Sequence, residues 1–217
     1  MLQPYAVPDL MKEVRWGVPE NRRALFGKIP VRPLRAPRDG MTFREHDWTN
    51  YSAIPSYPGM HLEGYFQSEK YFSDYREEIL QLFAESPEFW SSLVDRFPIL
   101  CSPQLVGVHV RVNYDPQFDH PQKHPTFGKL YYKQACAVMP TGAIFVVVSN
   151  NIPAAKEILK GLPGDFYFLE GTNRFEDLRV LAHCHHIIGS NSSFSWWGAW
   201  LGDSPNRMCV FPFPWLS

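Results

Sequence analysis

A chain of 217 residues, 45% apolar and 20% charged, is long enough for one large domain or two small ones and is unlike a disordered segment. Its net charge of -1 and pI near 6.7 offer no basic excess to attract nucleic acid, so no nucleic-acid partner is expected. The longest apolar run, residues 143–148, is far short of the ~20 residues that cross a bilayer, and residues 1–12 show no signal peptide; the chain reads as soluble or membrane-peripheral.

Residues 29–38 interleave Pro30, Pro33 and Pro37 with Arg32, Arg35 and Arg38. Proline suits neither helix interiors nor central strands, so this is extended loop, its arginines a solvated linker or an anion patch. Between residues 68 and 94 the pattern turns helical. Tyr71, Phe72, Tyr75, Ile79, Leu82 and Phe83 recur at spacings of three and four, and Pro87 divides the stretch into two helices. Residues 1–100 thus form one region, a Pro-rich loop and helical segment.

Residues 101–217 form a second region with a regular rhythm. A Val-rich alternation predicts a strand over 105–112, and the solid β-branched run 143–148 predicts one buried on both faces. Shorter strands are expected at 166–169, 187–189 and 208–213. Helices are expected at 128–139, 154–162, 175–186 and 193–201. Strands alternating with helices of this length imply an α/β fold, a parallel sheet covered on both faces. The four cysteines, Cys101, Cys136, Cys184 and Cys209, form no C-x-x-C pair and read as buried free thiols.

Ligands of open parallel sheets bind at the carboxyl ends of the strands, which directs attention to three segments. The first is His109-Val110-Arg111. Both polar side chains share one face of the strand, and Arg111 near its end offers a planar fork of donors to a phosphate or a partner to an aspartate. The second runs from Gly189 to Gly198 with Ser190, Asn191, Ser192, Ser193 and Ser195. A strand gives way to a helix start, which suits either a pyrophosphate cradle or ordinary N-capping. Trp196, Trp197 and Trp200 read as core packing or as a sugar-stacking surface. The third is Ser149-Asn150-Asn151, placed to read a base or ribose or to form a turn and cap.

His183, Cys184, His185 and His186 resemble a metal cluster, and His183 and His186 would share a helix face. They fall in a packing helix without a fourth ligand at suggestive spacing, so no metal site is assigned. The chain has no G-x-G-x-x-G, no P-loop, no G-x-S-x-G and no Asp-x-Asp.

Taken in order, His109-Val110-Arg111, Tyr131-Tyr132-Lys133-Gln134-Ala135, Ser149-Asn150, Asp177-Leu178, Cys184-His185-His186-Ile187-Ile188 and the block from Asn191 to Leu201 resemble the galactoside α-1,2-fucosyltransferase family. Upstream, the run from Gly64 to Phe72 fits as well. The resemblance covers roughly residues 64–216. It implies a GT-B-like glycosyltransferase with a Rossmann-like donor domain over 101–217 and an incomplete amino-terminal half. It also implies inverting, metal-independent transfer of L-fucose from GDP-fucose to the 2-hydroxyl of a galactose-containing glycan, with GDP-fucose as donor substrate and no cofactor. By the same resemblance Arg111, helped by His109, meets the diphosphate. Asn191, Ser192, Ser193, Phe194 and Ser195 belong to the substrate site, with Ser192 and Ser193 near the phosphates. Asp177, Ser149 and Asn150 line the nucleoside side.

Three positions depart from the family's pattern: Val112 stands where a second arginine is usual, Tyr114 where an aspartate is usual, and Asn150 where an acid is usual. These departures motivate an alternative, a non-catalytic nucleotide-sugar or glycan-binding remnant of such an enzyme. Asp115 and Asp119 are the carboxylates nearest the arginine that could act as general base or be solvated loop acids.

Overall fold

A computed structural model describes residues 42–47, 50–57, 60–112 and 126–213. The arginines of residues 29–38, together with Tyr114, Asp115 and Asp119, lie outside the described residues. The chain divides into two compact units, Met1–Ala84 and Glu85–Ser217.

In the first unit, strands β1 (Thr42–Arg44) and β2 (His61–Glu63) pair in parallel. Two 3-10 turns, Glu69–Tyr71 and Ser73–Tyr75, lead into helix α1 (Arg76–Phe83). The apolar stripe read from the sequence therefore begins as tight turns. Ser68 caps the first of them by accepting from the Lys70 N–H, and regular α-helix starts only at Arg76.

The second unit opens with α2 (Pro87–Arg96). Pro87 is its first residue, where a missing N–H costs no helix bond, and Ser86 caps it by accepting from the Phe89 N–H at 3.3 Å. The proline thus starts the second helix. After it come β3 (Leu105–Val110), α3 (Lys129–Ala137), β4 (Ile144–Ser149), α4 (Ile152–Leu159), β5 (Asp165–Phe168), α5 (Arg174–His183), β6 (His186–Ile188), α6 (Ser193–Trp200) and β7 (Cys209–Val210). The five strands form one parallel sheet in the order β5-β4-β3-β6-β7.

Every residue of β3 is buried, as a central parallel strand covered on both faces requires. Val106, Val108 and Val110 meet Tyr132, Ala135 and Ala155 of α3 and α4 on one face. Leu105, Val146 and Val148 meet Leu93 of α2 and Val180 and Leu181 of α5 on the other. Two glycines permit the close approach on this second face. A Cβ at Gly107 would sit 3.0 Å from Leu181 Cδ2, and one at Gly198 would sit 2.7 Å from Leu181 Cβ. Each is a place where a methyl group would push α5 away from the sheet or from α6.

Two of the expected boundaries move for a visible reason. The strand expected to reach residue 112 ends at Val110, because Arg111 and Val112 give their N–H groups to side chains. The helix expected to reach residue 186 ends at His183, where Cys184 turns extended at ψ 144° so that His186 can enter β6. His183 and His186 therefore share no helix face. His183 stacks on Trp90 at 3.9 Å, while His186 Nδ1 accepts from the Met208 N–H at 3.1 Å. The four thiols are free, but only Cys136 and Cys184 are buried; Cys101 and Cys209 are exposed.

Candidate functional site

The strand order places β3, first in sequence, at the centre. From it the chain steps outward through β4 to β5, then returns to β6 on the opposite side of β3 and steps outward again to β7. The connections that leave β3 and β6 consequently run in opposite directions. The carboxyl ends of β3 and β6 thus mark the switch point, where doubly wound sheets take ligands in a crevice. His109 and Arg111 stand at one wall of it, and the turn from Gly189 to Ser192 at the other.

Ser190 joins the two walls. It is 2% exposed, and its hydroxyl donates to the His109 carbonyl at 2.6 Å. The same oxygen accepts from the Arg111 N–H at 3.0 Å and lies 3.1 Å from the Tyr132 hydroxyl. Tyr132, fully buried on α3, also donates to the His109 carbonyl at 3.2 Å. Ser190 entered the sequence reading only as one member of the serine block, and Tyr132 only as part of a segment that carries the family resemblance. The signal available was a serine directly after a glycine at a strand end.

The rest of the serine block divides by role. Ser192 caps α6, accepting from the Phe194 N–H at 3.3 Å. Ser195 is fully buried, its hydroxyl within 3.0 Å of the Ser190 carbonyl and 3.1 Å of the Ser192 carbonyl. Asn191 is buried as well, while Ser193 is exposed on the first turn. First-turn N–H groups have no carbonyl ahead of them in the helix, and the aligned peptide dipoles make this end favourable to an anion.

His109 is 6% exposed, and its Nδ1 has no hydrogen-bond partner among the described residues. Its ring lies 5.2 Å from that of Phe194. Burial, helped by the neighbouring Arg111 charge, lowers its pKa to about 3. The imidazole is therefore neutral across the physiological range, and of the two polar residues at this strand end only Arg111 brings a positive charge.

Beside these, the end of β4 supplies Ser149 and Asn150. The Ser149 hydroxyl donates to the Val110 carbonyl at 2.6 Å, and Asn150 holds the Val112 backbone. Asn151, next in sequence, caps α4 by accepting from the Ala154 N–H. Asp177 lies further along the same sheet edge, on the first turn of α5 after β5. Its carboxylate accepts from the Thr172 hydroxyl at 2.6 Å. Burial outweighs that bond and, with Glu176 adding repulsion, raises its pKa to about 6. Among the described residues no three His, Cys, Asp or Glu side chains are placed to hold a metal ion together, and no helix is long and apolar enough to cross a membrane.

A doubly wound sheet with a polar strand-to-helix turn and an arginine at its switch point defines the class: an α/β domain of Rossmann-like order. The model of glycosyl transferase family 11 matches residues 40–210, and the chain belongs to that family. Similar curated proteins include an alpha-1,2-colitosyltransferase of Escherichia coli, 26% identical over 71% of this chain and 55% of its own length. They also include galactoside alpha-(1,2)-fucosyltransferase 2 of Oryctolagus cuniculus, 31% identical over 73% of this chain and 49% of its own length. The chain spans about half the length of the curated relatives it matches. Among solved structures, POFUT1 in complex with GDP-fucose aligns over 71% of this chain and 54% of that chain, at 16% identity and a TM-score of 0.47.

Proposed function

We propose that this chain carries the donor-binding half of a glycosyltransferase that moves L-fucose from GDP-fucose to the 2-hydroxyl of a galactoside. Transfer proceeds with inversion and without a metal ion. The observation that carries the reading is the switch-point crevice, where Ser190 fastens the Arg111 strand end to the start of α6. Membership of family 11 and the names of the relatives support the choice of sugar and acceptor.

In a single inverting displacement the acceptor oxygen forms a bond to C1 of fucose as the bond from C1 to the β-phosphate oxygen breaks. The acceptor proton leaves to a base, and GDP departs with the electron pair. Negative charge grows on the β-phosphate, so fixed donors aimed there lower the barrier. In this reading Arg111 and the first turn of α6 supply those donors. Neutral His109 can exchange hydrogen bonds there without adding charge.

Asp177 faces the nucleoside in this reading. Guanine offers N–H donors, and only the ionised carboxylate accepts from two of them. With its pKa at about 6, Asp177 is partly protonated at pH 5.5 and ionised by pH 7.5. Affinity for GDP is therefore expected to rise between those pH values, and Asp177→Asn should flatten the profile. An unchanged profile in that variant would remove Asp177 from nucleoside binding. The stability linkage has the opposite sign. A folded pKa raised from the ordinary aspartate value of 3.8 gives a contribution that is full below about 3.8 and lost as pH rises through about 6.

Calorimetric titration of GDP-fucose into the chain, with EDTA present and UDP-galactose as control, tests the whole reading. Selective binding of GDP-fucose without metal is expected. GDP-colitose belongs in the same series, since one relative is a colitosyltransferase. Failure of the folded chain to bind either GDP-sugar, or equal binding of UDP-galactose, would overturn the reading.

A further inference from the structure

At the last residue of β3 and the two beyond it, side chains hold three successive residues. Ser149 Oγ donates to the Val110 carbonyl at 2.6 Å. Ser190 Oγ accepts from the Arg111 N–H at 3.0 Å. Asn150 Oδ1 accepts from the Val112 N–H at 2.8 Å, while Asn150 Nδ2 donates to the Val112 carbonyl. The first anchor is the last residue of β4, the third directly follows it, and the second lies in the turn after β6, so the segment is tied from the ends of both neighbouring strands.

The Asn150 contact differs from the other two. One side chain satisfies both backbone groups of one residue, as a neighbouring strand would. An amide carries the acceptor and the donor side by side, whereas a carboxylate has no donor and a hydroxyl is too short to span the two groups. The oxygen meets an N–H and the nitrogen meets a carbonyl, so the pairing also fixes which way the amide faces. Asn150 is itself exposed, and the residue it holds, Val112, is 7% exposed. An exposed side chain contributes little to the core, so the contact's main consequence is the path of the backbone that leaves Arg111.

We infer that Asn150 is a positioning residue for the donor site: by clasping the Val112 backbone it fixes the peptide carrying Arg111 at the mouth of the crevice, where a diphosphate is to be gripped. This rests on the donor-site reading above. It differs from the nucleoside contact expected from the resemblance, because both polar atoms of the amide are engaged within the protein.

The test is a double-mutant cycle on GDP affinity, measured calorimetrically with Asn150→Ala, Arg111→Ala and the pair. Losing the two bonds is expected to weaken GDP binding about tenfold when Arg111 is present. In the Arg111→Ala background the same change should cost no more than about twofold, because the group being positioned is gone. A purely structural role would lower affinity equally in both backgrounds, and that result overturns the inference while leaving the donor site standing. Absence of GDP binding by the folded wild-type chain overturns both. Asn150→Ser, which keeps a polar group at this exposed position, supplies the second variant, judged by the same criterion should Asn150→Ala not fold.

Discussion

Replacing Arg111 with alanine is expected to lower fucose-transfer turnover by about a hundredfold or more while leaving the fold intact. The magnitude follows from the charge balance at the strand end. Two polar residues meet the crevice there, but burial and the arginine itself hold His109 neutral, with a pKa of about 3. Arg111 is then the residue of the pair that can answer negative charge growing on a departing diphosphate. Removing one fixed donor aimed at a developing anion typically raises a barrier by ~2.7–4 kcal/mol. That corresponds to a factor of roughly one hundred to one thousand in rate. Arg111→Lys keeps the charge but loses the planar fork, so its turnover should fall between wild type and alanine. Product formation from GDP-fucose and a galactoside acceptor, followed by chromatography, reads all three. His109 sets a further condition: the rate profile between pH 5 and 8 should carry no inflection that His109→Phe abolishes. Full turnover by Arg111→Ala would exclude the arginine from the mechanism.

The sheet was legible because its signals are local. The run 143–148 is β-branched and continuous, and it became strand β4, between β5 and β3. The Val alternation that announced β3 was equally plain, yet it overran the strand by two residues. Nothing in the order of Val110, Arg111 and Val112 shows that Ser190 and Asn150, 79 and 38 positions away, take over their backbone hydrogen bonds. The same distance in sequence hid a relation between two departures from the family's pattern. Val112 and Asn150 read as separate anomalies in the chain, but in the structure they are the two sides of one clasp. The helix ending at His183 was overextended for a related reason. Apolar periodicity continues through Cys184, which is buried against the sheet whether or not it is helical. Side-chain capture of backbone groups across strands decides these ends, and hydrophobic pattern does not report it.

The serine block shows the same limit and leads to a second large effect. By composition, Ser190, Ser192, Ser193 and Ser195 are equivalent candidates for an anion cradle. The structure separates them: three are buried in hydrogen bonds that fix the turn, and Ser193 alone among the four is exposed. Ser190→Ala removes the donor to the His109 carbonyl and the acceptor for the Arg111 N–H in one step. Tyr132 can still reach that carbonyl at 3.2 Å, so the unmet cost falls on the Arg111 N–H and on the lost link between β3 and β6. A loss of about 2–3 kcal/mol of stability is expected. For a chain of this size that lowers the melting temperature by roughly 5–10 °C. Ser193→Ala, which removes an exposed hydroxyl from the same block, should stay within about 0.5 kcal/mol of wild type. Thermal unfolding of the two variants side by side decides whether the block is a uniform cradle or a brace with one exposed member. Equal melting temperatures for Ser190→Ala and wild type would show that the crevice does not depend on this serine. A large drop for Ser190→Ala alone would mean that the arginine's position is secured by the buried part of the turn, leaving the exposed serine and the first N–H groups of α6 to face the ligand.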